Sequence, residues 1–314
     1  MGLFDWLTWA NVVKLVESNF MTALLGAAAG AGFGALAADR IARRSRSRER
    51  LLQEIQNTNT ALGTLLAAFS TFSNIKEQHT RDLLADYRQK RALVHQADAE
   101  RQRTGRPPAQ PLELAINMRM FDEVRVRIER IEEVVGKLTI RGRPLAVLAM
   151  LGQELATLKH LMQRYNQLTI DIQSLPNDEQ QIRYIYGLRQ QNSRTIDTTF
   201  GDVLEGCASA NDDCMYFSWR LCEDIHQHGM LVRKMLLRSF KGPVPTIDRV
   251  VFDDPKEKGL MPSPENYPTW ENNFYWQVPP TPGRRAGKLK YVIKRRWRRF
   301  WRLPWSRKIE RRKR

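Results

Sequence analysis

Between Phe20 and Ala38 the chain runs for 19 residues without a charged side chain, and the next twelve residues hold six arginines. As a helix this run measures about 28 Å, close to the roughly 30 Å hydrocarbon thickness of a bilayer. Thr22 is its one polar interior residue, and a helix satisfies its own backbone hydrogen bonds in lipid. A single transmembrane helix over residues 20–38 is therefore expected. A cleaved leader fits less well. Ala35-Leu36-Ala37 has a small-x-small pattern, but the region before it is long and not basic, and arginines follow at once. Arg40, Arg43, Arg44, Arg46, Arg48 and Arg50 outnumber Lys14 on the other side, which places the N-terminus outside and the following domain in the cytoplasm. The apolar segment 1–19 carries Trp6 and Trp9, residues suited to the headgroup level.

Within the span, Thr22, Gly26, Gly30, Gly34 and Ala38 recur every fourth residue. Such a glycine-zipper ridge lets helix backbones approach closely in lipid, so a homo-oligomer is expected.

Charge refines the reading. The chain has 51 Lys+Arg against 34 Asp+Glu, net +17, which points to a phosphate-rich partner. Residues 284–314 alone contribute +15 and residues 39–50 +4, while residues 1–38 and 51–283 each carry −1. In the tail, 288–314, the helical wheel separates Leu289, Val292, Ile293, Trp297, Phe300, Trp301 and Leu303 from most of the cations. Lys294, Arg295, Arg296, Trp297, Arg298, Arg299, Phe300, Trp301, Arg302 and Trp305 then form an amphipathic surface for an anionic leaflet. The same Arg/Trp chemistry also fits nucleic acid, with phosphates on Arg and bases stacked on Trp.

The intervening chain reads as all-α. Residues 39–103 lack proline and contain one glycine, Gly63, and their apolar residues follow helical spacing, predicting one long stalk helix. Thr104-Gly105-Arg106-Pro107-Pro108 ends it. Leu114, Phe121, Ile128 and Val135 form one heptad register and Val124, Ile131 and Leu138 another, the pattern of a coiled coil. Breaks at Gly142-Arg143-Pro144, at Leu175-Pro176-Asn177-Asp178 and at Asn211-Asp212-Asp213 divide 111–240 into four segments, 111–140, 145–174, 178–206 and 211–240. Their similar lengths predict an antiparallel four-helix bundle on the stalk. The alternative is a three-helix rod in which 111–174 returns along 39–103. No alternating strand pattern is expected.

Residues 241–287 hold nine of the 15 prolines and read as an extended tether. Its aromatics, Tyr267, Trp270, Phe274, Tyr275 and Trp276, are expected to fold back onto the bundle.

Catalytic and metal signals are weak. Cys207, Cys214, Cys222, His226 and His228 cluster in sequence but lack zinc-like spacing. Glu223-x-x-His226 has no second copy for a di-iron site. Thr281-Pro282-Gly283-Arg284-Arg285-Ala286-Gly287-Lys288 has one residue too few for a phosphate loop and lacks the following Ser/Thr. No catalytic, cofactor or metal residue is assigned and no small-molecule substrate is indicated. The sequence thus points to a non-enzymatic, single-pass membrane scaffold or sensor with a cytoplasmic partner. A membrane-tethered nucleic-acid binder and an oligomerising membrane-perturbing effector are the alternatives.

Overall fold

The computed structural model describes residues 19–105, 118–176, 178–188 and 196–273, and among these all regular structure is helical. Helix α1, Asn19–Ile75, continues through one π-helical turn, Lys76–Thr80, into α2, Arg81–Thr104. The long helix expected over 39–103 is therefore present. It ends where Gly105 adopts φ 66°, a left-handed cap that donates to the Arg101 carbonyl and that glycine adopts without steric cost. Each extra residue in a turn rotates the downstream face by about 100°. The π turn thus hands the buried stripe from Ile55, Leu62, Leu65, Phe69 and Phe72 on to Leu83, Tyr87 and Val94.

Three further helices complete the core: α3, Ile128–Gly136; α4, Arg143–Gln173; and, after the short α5 at Asp178–Ile185, the 41-residue α6, Thr199–Ser239. Helix α6 packs along both α1 and α4. It runs antiparallel to α1, since Phe72 meets Asn211 while Glu54 meets His228. It is antiparallel to α4 as well, since Arg143 meets Asp224 and Tyr165 meets Phe200. Helices α1 and α4 therefore point the same way. This overturns the rod in which 111–174 returns along the stalk, and the unbroken helix α6 overturns the four equal helices.

Two physical reasons account for the difference. Asn211-Asp212-Asp213 does not cap a helix, because all three side chains serve tertiary contacts. Asn211 Nδ2 donates to the Phe72 carbonyl at 3.1 Å, Asp212 pairs with Lys76 at 2.7 Å, and Asp213 accepts from the Tyr267 hydroxyl at 2.6 Å. Helix α6 passes straight through them. The described part of the heptad over 111–140, in turn, is helical only from Ile128 to Gly136, and residues 118–127 form no regular element, with Arg127 extended. Val124-Arg125-Val126-Arg127-Ile128 in fact alternates, with Val124 and Val126 buried and both arginines exposed, a period that suits a pleated segment.

Helix-borne side chains hold this strap. Asn166 of α4 pairs with Phe121 through both its amide groups, at 2.8 Å each, and Lys159 donates to the Val126 carbonyl at 3.1 Å. The device recurs after α6. Asn59 of α1 donates to the Thr246 carbonyl at 3.0 Å and accepts from the Asp248 N–H at 3.1 Å. Ile247, Phe252 and Leu260 are buried, with Phe252 edge-on to Phe69. The part of the expected tether up to Tyr267 is consequently a wall of the bundle. It includes α7, Asp253–Glu257, and a 3-10 turn at Pro264–Asn266. The fold-back expected for Tyr267 is realised by its stacking on Tyr216, centroids 3.7 Å apart. A second unit begins at Pro268 and contains the short helix α8, Pro268–Asn273.

Among the described residues no helix is long and apolar enough to cross a membrane. The helical form expected over 20–38 is present, but the side chains of Phe20, Met21, Thr22, Leu24, Leu25 and Ala29 lie outside the described set.

Candidate functional site

The bundle begins at the collar arginines, and α1 continues beyond it. Every described residue from Gly26 to Ser47 is exposed, a helical length of about 33 Å. Its apolar side chains have no cover: Phe33 is 74%, Leu36 67% and Ile41 70% exposed. A methyl group added at Gly26, Gly30 or Gly34 would meet no atom within 4 Å, and Ala38 is exposed. The small-residue ridge therefore lies open along the projecting helix. Thr22, its first member, has its side chain outside the described residues.

The collar marks the level at which the body starts. Arg43 pairs with Asp39 at 2.8 Å and Ser45 donates to Glu49 at 3.1 Å, both within α1. Arg44 reaches across to the end of α6, donating to the Ser239 carbonyl at 3.4 Å with its guanidinium 5.7 Å from the Phe240 ring centre. A cation on the terminal carbonyls of a helix meets the negative end of its dipole. Arg48 approaches the backbone at Gly242, which has φ 123°.

Glu54 and Asp224, deeper in the body, are engaged in holding the fold. Thr139 donates to Glu54 Oε1 through its N–H and its hydroxyl, at 2.6 and 2.9 Å, and His228 Nε2 lies 2.8 Å from the same oxygen. Burial opposes ionisation of Glu54, but the bonds from His228 and Thr139 outweigh it and hold the carboxyl below its ordinary value. Asp224, fully buried, receives the Arg143 guanidinium through two hydrogen bonds. Tyr267 is pushed up by burial and by the acceptor Asp213.

Cys207, Cys214 and Cys222 are all buried free thiols. Burial raises Cys207 and Cys222 to about 12 and Cys214 further, so none is poised as a thiolate. Glu223 accepts from Arg220 at 2.6 Å and His226 Nδ1 lies 3.1 Å from the Asp248 carbonyl. Among the described residues no group of three or more His, Cys, Asp or Glu is placed to hold a metal ion. A cleft of about 290 Å³ lies beside this segment, lined in part by Trp219, His226, Arg249 and Lys256.

The tail positions Lys294, Arg295, Arg296, Trp297, Arg298, Arg299, Phe300, Trp301, Arg302 and Trp305 lie outside the described residues, as do Trp6 and Trp9. Sequence reasoning missed two glycines that set the helix spacing. A Cβ at Gly201 would collide with the Tyr87 hydroxyl, and one at Gly229 would stand 2.6 Å from Thr58 Cγ2. They fall four heptads apart on α6, and that spacing was the available signal.

No protein family, curated protein or solved structure matches the chain.

Proposed function

We propose that this protein is a non-enzymatic, bitopic membrane scaffold or sensor, its helical body facing the cytoplasm and its basic tail resting on an anionic leaflet. The observation that carries the reading is the bare helix from Gly26 to Ser47, which continues a packed body while exposing Phe33, Leu36 and Ile41. Leaving such side chains in water forgoes about 1.5–3 kcal/mol each, and a contiguous apolar surface marks a membrane or protein contact. Hydrocarbon over 20–38 covers Phe33 and Leu36, Ile41 follows at the boundary, and the arginines there fix the cytoplasmic side. The small-residue ridge supplies the contact between copies. The tail supplies a second anchor, each Lys or Arg near an anionic surface contributing about 1 kcal/mol.

Extraction of cell membranes at alkaline pH tests the anchor. The full chain is expected to stay in the pellet, and complete release into the supernatant would falsify the span. Single cysteines replacing Trp9 and Ser47, labelled with a membrane-impermeant maleimide on intact cells, test the orientation. Only the Trp9→Cys position is expected to react, because the membrane shields Ser47→Cys from the reagent and the native thiols are buried. Deleting 284–314 is expected to leave the anchor intact. The deletion should reduce the binding of detergent-solubilised protein to anionic lipid; a steep, salt-dependent loss of RNA or DNA affinity in its place would assign the tail to nucleic acid.

A further inference from the structure

The fold brings the end of α6 to the level of the collar, and this has a geometric consequence for a chain anchored at 20–38. Arg44 meets Ser239 and Phe240, the last turn of α6 and the residue after it. Six residues separate Ala38 from Arg44, a rise of about 9 Å along the helix. One headgroup layer is about 5–8 Å thick, so the base of the bundle stands at the lipid surface, within a Debye length of about 8 Å. The base is built for that position. Its last two α6 turns and the following residues carry Arg233, Lys234, Arg238 and Lys241, and residues 230–243 contain no acidic side chain. Lys234, Arg238 and Lys241 are exposed and have no carboxylate within ion-pair distance among the described residues. Beside them Met235 and Leu237 are exposed, Leu237 to 51%.

We infer that the base of the bundle, formed by the collar arginines and by Lys234, Met235, Leu237, Arg238 and Lys241 at the end of α6, is a docking surface for the anionic headgroups of the membrane that holds α1. This rests on the anchor proposed above and adds to it a lipid class and a fixed face of the body. The cations meet lipid phosphates, and Met235 and Leu237 enter the headgroup boundary. The surface is assembled from residues almost 200 positions apart in sequence, Arg44 and Ser239, and is distinct from the terminal tail.

The test uses the full chain, reconstituted in vesicles of phosphatidylcholine alone or of equal parts phosphatidylcholine and phosphatidylglycerol. An environment-sensitive dye is placed at Leu237→Cys, with Gln89→Cys, an exposed site on α2, as the comparison. In the anionic vesicles the dye at 237 is expected to shift to the blue and to be quenched by lipid-borne quencher, while the dye at 89 does neither. K234E with R238E should abolish the shift at 237; both side chains are exposed, so the fold is not at risk. Absence of the shift in protein that still resists alkaline extraction overturns the docking surface and leaves the anchor standing. An equal shift in both vesicle types overturns the anionic-lipid assignment. Release by alkaline extraction overturns both readings. A charge-reversal-sensitive affinity for an oligonucleotide without any lipid signal also overturns the proposal and reassigns the cations to nucleic acid.

Discussion

Gly201 and Gly229 show how single residues fix the spacing of the long helices. Tyr87 stacks on Tyr186, centroids 5.8 Å apart, and leans on Phe200, so it has little freedom to swing away from a methyl at Gly201. Gly201→Ala is expected to destabilise the body by about 1–3 kcal/mol through overpacking, read as a lower urea midpoint at unchanged slope. Adding Tyr87→Phe should recover part of the loss. Gly63, exposed on α1 with open space around it, gives the opposite sign: Gly63→Ala should stabilise by up to about 1 kcal/mol. Glu54 sets a pH dependence. Its folded-state carboxyl lies below its ordinary 4.5, so its contribution is complete above that value and is lost as pH falls through the lowered one. Glu54→Gln should therefore flatten the acid limb of a stability-versus-pH curve; an unchanged limb would mean that other carboxylates carry it. The cysteines are expected to resist thiol reagents in the native state and to react together on unfolding. Rapid native labelling of any one of them would contradict its burial.

At the scale of elements, the two straps explain where helical periodicity misleads. Phe121, Ile128 and Val135 satisfy a heptad by position, yet the chain from 118 to 127 is not helical, and Asn166 and Lys159 bond its backbone at Phe121 and Val126. A period of seven is shared by a helix and by a strap turning into one, and only the neighbouring α4 decides between them. Asn166→Ala should raise the hydrogen-exchange rate of the Phe121 amide well above that of the α4 core. An unchanged rate would show that burial alone holds the strap. Asn211-Asp212-Asp213 misled in a similar way. Polar triplets do cap helices, but here their partners, Phe72, Lys76 and Tyr267, are distant in sequence and invisible to local reasoning. Gly26, Gly30, Gly34 and Ala38 fall on α1 as their spacing in the sequence implies. Because a Cβ at Gly26 or Gly30 meets nothing among the described residues, Gly26→Leu with Gly30→Leu should leave thermal unfolding of the body unchanged while abolishing crosslinked oligomers in membranes. Oligomers that survive would place self-association elsewhere.

For the molecule as a whole, the helical class, the continuous helix from the collar to Gly105, the uncharged run 20–38 and the uneven distribution of charge are all written into the local sequence. Each depends on local composition and on a period of 3.6, which a single chain segment carries alone. The α4 stripe of Leu148, Leu151, Leu155, Leu158 and Met162 was likewise fixed locally and is buried as its spacing requires. Packing alone decided that α6 is one helix lying along both α1 and α4, that the two straps complete the walls, and that Arg44 meets Phe240. Those outcomes depend on which distant polar group answers which backbone carbonyl, and on where a glycine admits a neighbouring ring. Such pairings are chosen by the packed arrangement as a whole, because an unmet buried polar group costs more than any local preference returns.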